Sequence, residues 1–401
     1  MSQMEKRACP DQIMSQNVQH KPAFLFLLLL YLSFIALGLP DTGLGVAWNQ
    51  MRADFGVPLE YAGFITMTIT VCSAISGFLN GKLLARYGTG RVTAVSCTLT
   101  ALAIIGFSLS ESYWLILLLA VPLGLGAGAV DAGLNSYAAE NLSSKHMNWL
   151  HSSWGIGATL SPVILTIGIT QFGSWKAGYG FIGVVIFCLS VSLFMTLSFW
   201  KQKRQGGAKE EVREDKPWIC GIAPYLSVMA YIIYVAVEGG IGLWLSVLLV
   251  ESRGLDLSAA GFLAGAFFGS IMIGRFLMGF IADALGNRKL MVLGLAISAA
   301  GSAAFFYQEN VMIYGTGIIL LGLGFAPLYP AMMHETSKRY GSGQAKKIIG
   351  YQVAFSYISL LTFVPLIGYI ASRTTLEFIP VFTAVSVAAL ALVIKTLNQL
   401  T

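Results

Sequence analysis

The chain has 401 residues, of which 56% are hydrophobic and only 11% are charged. A soluble globular protein carries about 25% charged residues, so this composition excludes a soluble fold and indicates a protein that spans a membrane. The formal net charge of +6 is collected in particular loops, which leaves no basic and aromatic surface of the kind that binds nucleic acid.

Apolar stretches of about 20 residues follow one another along the chain, and each is long enough to cross a lipid bilayer as a helix. The twelve predicted membrane-spanning helices cover residues 22–49, 58–82, 90–110, 112–140, 146–172, 177–200, 220–250, 257–284, 287–306, 310–337, 344–371 and 376–397. Lys and Arg collect in alternate loops, which places those loops and both termini in the cytoplasm. The sequence therefore predicts a multi-pass integral protein of the cell membrane.

A charged stretch at residues 201–219 divides the predicted helices into two groups of six. The predicted organisation is a bundle at 22–200, this cytoplasmic loop, and a second bundle at 220–397. Short cytoplasmic tails at 1–21 and 398–401 complete it. We expect one chain to be enough for this architecture, so the protein is predicted to be a monomer.

The two predicted bundles resemble each other in sequence. Three motifs recur at a spacing near 198 residues: Pro40-Asp41-Thr42-Gly43 matches Val237-Glu238-Gly239-Gly240, Ala62-Gly63-Phe64 matches Ala260-Gly261-Phe262, and Gly124-Leu125-Gly126 matches Gly322-Leu323-Gly324. Parallel six-helix repeats are the architecture of major facilitator transporters. This resemblance implies an all-α membrane protein with twelve transmembrane helices in two pseudo-symmetric bundles.

Three acidic residues lie inside predicted membrane-spanning helices: Asp41 in the first, Asp131 in the fourth and Glu238 in the seventh. An acid at the centre of such a helix costs roughly 2.5–3.5 kcal/mol on the translocon scale, so we expect it to face a polar cavity. A carboxyl group held away from water takes up a proton more readily. The three acids are therefore the predicted proton-coupling residues. The alternatives are a capped helix break at Asp41 and a polar clasp between helices at Asp131.

Polar residues accompany the first two acids. Pro40 and Gly43 flank Asp41 and predict a kinked or partly unwound stretch, which is tolerated only against protein or a water-filled cavity. Asn135 follows Asp131 by four residues and therefore shares its helix face. A carboxylate beside an amide suits the recognition of a vicinal diol.

Aromatic and further polar residues extend the predicted substrate site. His151 can relay protons near neutral pH, although a single His is more often structural, and the indole of Trp154 can stack on a pyranose ring. Trp244 lies nearly two turns beyond Glu238. The predicted substrate-binding set is Asp41, Asn135, His151, Trp154, Trp244, Tyr351 and Gln352.

The loop after the eighth predicted helix runs from Gly279 to Lys289 and resembles the cytoplasmic signature loop of the major facilitator superfamily. In that family the acid of this loop caps a helix terminus and pairs with basic residues. A weaker copy follows the second helix, with Ala85 in place of the acid. The predicted gating residues are Gly279, Asp283, Gly286, Arg288 and Arg86. The alternative is a pair of short basic turns with no gating role.

Helix motifs resemble one branch of this superfamily, the fucose–galactose–glucose:proton symporters. The similar runs are residues 38–41, 130–135, 150–155, 237–244 and 324–330, and the likeness extends from Phe24 to Lys395. In that branch an acid in helix 1 and another in helix 4 handle sugar and proton, and these roles fall by resemblance on Asp41 and Asp131. The helix 4 acid is often Glu in the branch, and the shorter Asp131 leaves the identity of the sugar open.

These patterns predict a secondary active transporter that moves a small polyol or monosaccharide together with a proton by alternating access. Asp131 is the expected proton carrier, with Asn135 and Asp41 nearer the substrate. Proton-coupled efflux of drugs or metabolites is the main alternative, and coupling to sodium is another. The sequence lacks the HExxH and Gly-x-Ser-x-Gly signatures, so no enzymatic activity, metal ion or cofactor is expected.

Overall fold

The computed structural model describes residues 24–141, 144–200, 221–340 and 342–401. These residues form fourteen α-helices and no β-strand. The helices are α1 (Phe24–Asp41), α2 (Leu44–Phe55), α3 (Tyr61–Tyr87), α4 (Thr89–Leu109), α5 (Tyr113–Asn141), α6 (Ser144–Phe172), α7 (Trp175–Met195), α8 (Ala223–Val247), α9 (Leu257–Leu285), α10 (Asn287–Phe305), α11 (Val311–Phe325), α12 (Leu328–Arg339), α13 (Ser342–Arg373) and α14 (Phe378–Leu400).

The helices form up to twelve membrane spans. Eleven helical stretches are long and apolar enough to cross a bilayer, and α1 with α2, joined at a bend of 40°, makes the twelfth. The helix α8 continues into a π-helical turn at Leu248–Ser252, and α11 with α12 forms a single span. The prediction of an all-α protein with twelve membrane-spanning helices is confirmed.

The first span is broken beside its acid. The helix α1 ends at Asp41 and α2 begins at Leu44. Pro40 ends the helix because it lacks a backbone N–H and its ring clashes with the preceding turn. The Thr42 hydroxyl donates a hydrogen bond to the Ala158 carbonyl at 2.7 Å, which anchors the break against α6 of the same half. The predicted kink is therefore present, and it leaves Asp41 at a helix end.

The sequence repeat is also a repeat of backbone conformation. Gly88, between α3 and α4, has φ 80°, and Gly286, between α9 and α10, has φ 75°. At the other ends of the spans, Gly56 has φ 63° and Gly254 has φ 66°. The members of each pair are 198 residues apart. Positive φ favours glycine because it has no Cβ. The same glycine turns therefore recur at corresponding positions of the two halves.

The turns at Gly88 and Gly286 lie on what we call the basic-loop face, and those at Gly56 and Gly254 lie on the opposite face. Toward the opposite face the two halves are in tight contact. A Cβ on Gly45 of α2 would lie 2.3 Å from the Leu243 carbonyl oxygen of α8, so the two backbones touch. Arg52 and Glu251 form an ion pair across the halves at 2.5 Å. The molecule is therefore closed on its opposite face.

Candidate substrate and proton site

Asp41 is held at the end of α1 by the indole of α6. The Trp154 Nε1–H donates a hydrogen bond to the Asp41 Oδ2 at 2.8 Å. The two helices approach closely, since a Cβ on Gly157 would lie 2.0 Å from the Ile35 carbonyl oxygen. Asp41 is exposed even though it lies in the middle of a membrane span. It therefore lines a water-accessible cavity inside the protein.

Asp131 and Asn135 form a second polar pair on α5. The Asn135 Nδ2 donates to the Asp131 Oδ1 at 2.8 Å, as their four-residue spacing predicts. The Asn135 Oδ1 is buried and has no hydrogen-bond partner among the described residues. Asp131 lies near Asp41, so the two acids of the first half belong to one cluster.

The second half contributes an ion pair to the same region. The Arg275 Nη2 on α9 lies 3.4 Å from the Glu238 Oε1 on α8. The same nitrogen lies 3.4 Å from the Tyr234 hydroxyl. The Glu238 side chain is 18% exposed and that of Arg275 is 21% exposed. Both are long contacts between partly accessible groups, so Arg275 neutralises Glu238 without being tightly fixed to it.

Trp154 connects this ion pair to the first half. The Arg275 Cζ lies 6.0 Å from the centre of the Trp154 ring, within the range of a cation–π contact. From Trp154 toward the opposite face, α6 and α9 are packed together. A Cβ added to Gly155 of α6 would lie only 2.8 Å from the Met272 Cβ of α9. Trp154 and Arg275 thus stand where the seam between the halves ends and the cavity begins.

Two tyrosines complete the cavity from the second half. Tyr357 on α13 lies near both Asp131 and Asp41. Tyr329 on α12 is within range of the charges of Glu238, Arg275 and Asp131. The site is therefore shared between the halves, with acids, hydroxyls and one guanidinium around a common space.

The structure brings together most of the predicted site residues. Asp41, Asp131, Asn135, Trp154 and Glu238 belong to the cluster described above. His151 joins it one turn before Trp154, with an exposed imidazole whose ring packs edge-on against Phe34 at 5.7 Å. The charge of Arg275 reaches this imidazole.

Three predicted substrate-binding residues lie elsewhere. Trp244 is fully buried and its indole N–H donates to the Val364 carbonyl at 2.8 Å. Gln352 is 1% exposed and its amide donates to the Thr336 hydroxyl at 2.9 Å. Tyr351 is 58% exposed on α13, nearly two turns nearer the basic-loop face than Tyr357. In this conformation Trp244 and Gln352 offer no surface to a substrate, because they pack between helices of the second half.

Of the predicted gating residues, Arg288 takes part in an ion-pair network within the second half. The Arg288 Nε lies 3.1 Å from the Glu335 Oε2 on α12, and Glu335 also lies 3.6 Å from the Arg339 Nε. Gly286 supplies the turn that precedes Arg288, and the Arg86 guanidinium of the first half lies over the Tyr87 ring at 5.3 Å. Gly279 and the side chain of Asp283 lie outside the described part of the structure.

Sequence reasoning missed Arg275. The signal was present, since a basic residue stands alone in the apolar run from Ile271 to Phe280. The insertion cost that singled out the three acids applies equally to Arg in the middle of a membrane span.

Among the described residues, no group of three or more His, Cys, Asp or Glu could hold a metal ion.

The geometry is that of a cavity between two six-helix halves, and the sequence model of the Major Facilitator Superfamily matches residues 30–359 and 227–398. The chain belongs to the Major Facilitator Superfamily. It is therefore a membrane transporter and not an enzyme, and it has the multi-pass architecture of that superfamily.

Individual superfamily members are similar to it over most of their length. The glucose/mannose transporter GlcP of Bacillus subtilis (strain 168) is 24% identical over 281 residues, which cover 66% of this chain and 69% of GlcP. The cis,cis-muconate transport protein of Acinetobacter baylyi is 22% identical over 301 residues, covering 71% of this chain and 70% of that protein.

Solved structures agree on the fold. A bacterial homologue of the human lysosomal transporter Spinster, in an inward-facing and occupied conformation, superimposes with a TM-score of 0.77 at 13% identity, covering 94% of this chain and 97% of that one. The nucleoside transporter NupG gives a TM-score of 0.75 at 12% identity, covering 93% and 99%. At such low identity the likeness concerns the fold alone.

Proposed function

We propose that this transporter is a symporter that carries a small polyol, most simply a monosaccharide, together with a proton. The observation that carries the proposal is the charge balance of the cavity. Glu238 has Arg275 as its ionic partner. Asp41 and Asp131 form no ion pair among the described residues and are held by neutral donors instead, Trp154 and Asn135. An acid without a counter-charge in a protein interior is suited to take up and release a proton.

The two unpaired acids are assigned different roles. Asp131 is the proton carrier, because it lies on α5 beside an amide that can stay hydrogen-bonded to either form of the carboxyl group. Asp41 stays nearer the substrate, since it is exposed in the cavity. The Asn135 Oδ1 is buried here and has no partner among the described residues, so we assign it as an acceptor for a substrate hydroxyl in a conformation that uncovers it. Trp154 supplies the flat apolar face against which the ring of a sugar packs.

A sugar is the favoured substrate for two reasons. The similar protein of Bacillus subtilis is named a glucose/mannose transporter, and the helix motifs around Asp41, Asp131 and Trp154 resemble those of the fucose–galactose–glucose:proton symporters. Carboxylate, amide and indole groups together match a molecule that is covered with hydroxyls and has an apolar ring face.

In the proposed orientation the basic loops and both termini are cytoplasmic, as the charge bias predicts. The conformation seen here is then closed to the outside and open to the cytoplasm. Proton and sugar bind from outside, the halves rock, and both leave on the cytoplasmic side. One proton moving inward gains about 2.3 kcal/mol per 100 mV of membrane potential, which is enough to concentrate a neutral sugar. One chain supplies both halves of the cavity, so the working unit is a monomer.

This proposal is tested by uptake of radiolabelled monosaccharides into proteoliposomes under an imposed inward proton gradient, in sodium-free buffer. Wild type is compared with Asp131→Asn and with Asp256→Asn, a control acid at the exposed start of α9. We expect gradient-driven accumulation in wild type and control. Asp131→Asn should lose accumulation while still equilibrating sugar, because an amide cannot carry the proton.

Gradient-driven accumulation that persists in Asp131→Asn would reject the assignment of Asp131. If no sugar is accumulated by correctly inserted wild type, and hydrophobic cations or small metabolites are expelled instead, the protein is an efflux transporter. Accumulation that appears only when sodium is added would replace the proton by sodium.

A further inference from the structure

Arg275 has an arrangement that neutralising Glu238 does not explain. Its two polar contacts, to Glu238 and Tyr234, both use the Nη2 nitrogen and both measure 3.4 Å. The Nε–H is buried and has no hydrogen-bond partner among the described residues. A guanidinium offers five donors in a planar fork, and an unmade hydrogen bond from a charged group is costly. The side chain therefore keeps donor capacity that its protein neighbours leave unused.

Although its Nε is buried, the Arg275 side chain as a whole is partly exposed at the cavity. Its side chain is 21% exposed and its Cζ lies 6.0 Å from the Trp154 ring. On the other edge of the same indole, the N–H binds Asp41 at 2.8 Å. A carboxylate, an indole face and a guanidinium thus follow one another across the boundary between the halves.

We propose that Arg275 is the substrate-binding residue of the second half and that it acts on the same sugar as Asp41. One hydroxyl donates to the Asp41 carboxylate, a hydroxyl at the other end of the molecule accepts from the Arg275 guanidinium, and the apolar ring face lies against Trp154. This inference rests on the proposed function. It adds the binding residue of the second half and the requirement that the polyol is long enough to reach from one half to the other.

The placement explains why binding is linked to movement. Asp41 and Trp154 belong to the first half and Arg275 to the second. Met272, one turn before Arg275, lies against Gly155 in the closed seam. A polyol held at both ends therefore stabilises the conformations in which α6 and α9 are together at this level, while one held by Asp41 alone does not.

The competing explanation is that Arg275 serves only to neutralise Glu238. Two variants separate the explanations. Glu238→Gln/Arg275→Gln removes both charges at once, so neither partner is left as an unpaired charge. Arg275→Lys keeps the positive charge and loses the planar fork that bonds two acceptors. Arg373→Gln is the matched control, since Arg373 is an exposed residue on the opposite face that lies over the Tyr369 ring at 5.4 Å.

The measurement is the KM for the monosaccharide that wild type transports in proteoliposomes, together with the ratio of protons to sugars. We expect KM to rise about tenfold or more in both test variants, because each loses a hydrogen bond between the substrate and a charged group. The ratio of protons to sugars should stay unchanged, because Asp131 is intact. The control should keep the KM of wild type. A wild-type KM in either test variant overturns the role of Arg275 in binding, whereas a wild type that transports no sugar overturns the proposed function itself.

Discussion

Arg253 and Arg275 show two ways in which this protein holds an arginine away from water. Arg253 is 1% exposed, pairs with Glu377 at 2.8 Å, and lies over the Phe305 and Tyr314 rings at 4.9 and 4.7 Å. Arg275 is more accessible and its polar contacts are longer. The first arrangement fixes the start of α14 to the end of α10, where Arg253 also donates to the Phe305 carbonyl at 2.9 Å. The second leaves a side chain that is able to change partners.

The Arg253–Glu377 pair makes a prediction about stability and pH. Burial alone would raise the pKa of Glu377, but hydrogen bonds from Arg253 and Ser252, with the charge of Arg253, outweigh it and hold the pKa below the ordinary 4.5. A depressed pKa contributes stability above the ordinary value that is lost as pH falls through the folded-state pKa. Glu377→Gln should therefore lower the Tm of the detergent-solubilised protein at pH 7, and the difference from wild type should shrink below pH 4.5.

The control for this prediction is Glu309→Gln, which changes an exposed acid in the loop before α11. Its Tm should follow that of wild type at every pH. An equal loss of Tm in the two variants at pH 7 would contradict a special role for the pair, as would a loss in Glu377→Gln that persists at low pH.

At the scale of elements, the closed face depends on helices whose backbones touch. The contact of α2 with α8 at Gly45 is one such contact between the halves, and beside it the Asn49 amide donates to the Ser246 hydroxyl at 3.0 Å. A side chain at Gly45 would force these helices apart, and overpacking of this kind costs about 1–3 kcal/mol.

We therefore predict that Gly45→Ala shifts the protein toward conformations open on the opposite face. The reporter is Ser246→Cys in a background without native cysteines, because Ser246 is 1% exposed here and becomes reachable only when the halves separate. Its reaction with a membrane-impermeant maleimide should be about tenfold faster with Gly45→Ala.

Gly77→Ala is the matched control for that experiment, because no atom lies within 4 Å of the Cβ position on Gly77 of α3. Its labelling rate should equal that of the parent. Equal rates in both glycine variants would show that the α2–α8 contact does not limit opening.

The elements themselves were largely readable from the sequence. Length and apolar composition were enough to find the spans, and Pro40 with Gly43 located the break beside Asp41. Periodicity was not enough to find which side of each helix faces the cavity. A transporter helix is surrounded by lipid, by neighbouring helices and by a water-filled space. Apolar residues face both the lipid and the neighbouring helices, so their pattern does not identify the side that faces the cavity. Trp244 and Gln352 were placed in the site for this reason, although each packs between helices of the second half.

The sequence also could not predict which residue pairs with each buried charge. The sequence identifies Glu238 as an acid in a membrane span, but its ionic partner Arg275 lies on another helix, 37 residues further along the chain. The link through Trp154 to Asp41 joins residues 113 apart. Such distances are set by how the bundles pack, and a single sequence contains no record of them.

At the scale of the whole molecule, the proposed proton symport depends on one charge balance. Three acids and one arginine meet between the halves, the halves are sealed on the opposite face by Gly45 and the Arg52–Glu251 pair, and exposed Asp41 shows that water enters. Because the opposite face is closed, the cavity opens toward the basic-loop face. An unpaired acid in such a space can bind a proton on one side of the membrane and release it on the other only if the halves alternate.

The most direct test of this account is the internal pH of proteoliposomes when a single unlabelled sugar is added outside, with no imposed gradient and no sodium. Proton symport predicts that one class of monosaccharide acidifies the interior, and that this acidification is removed by a protonophore and absent in Asp131→Asn. Sugar entry without any change in internal pH would contradict proton symport, however well the sugar is bound.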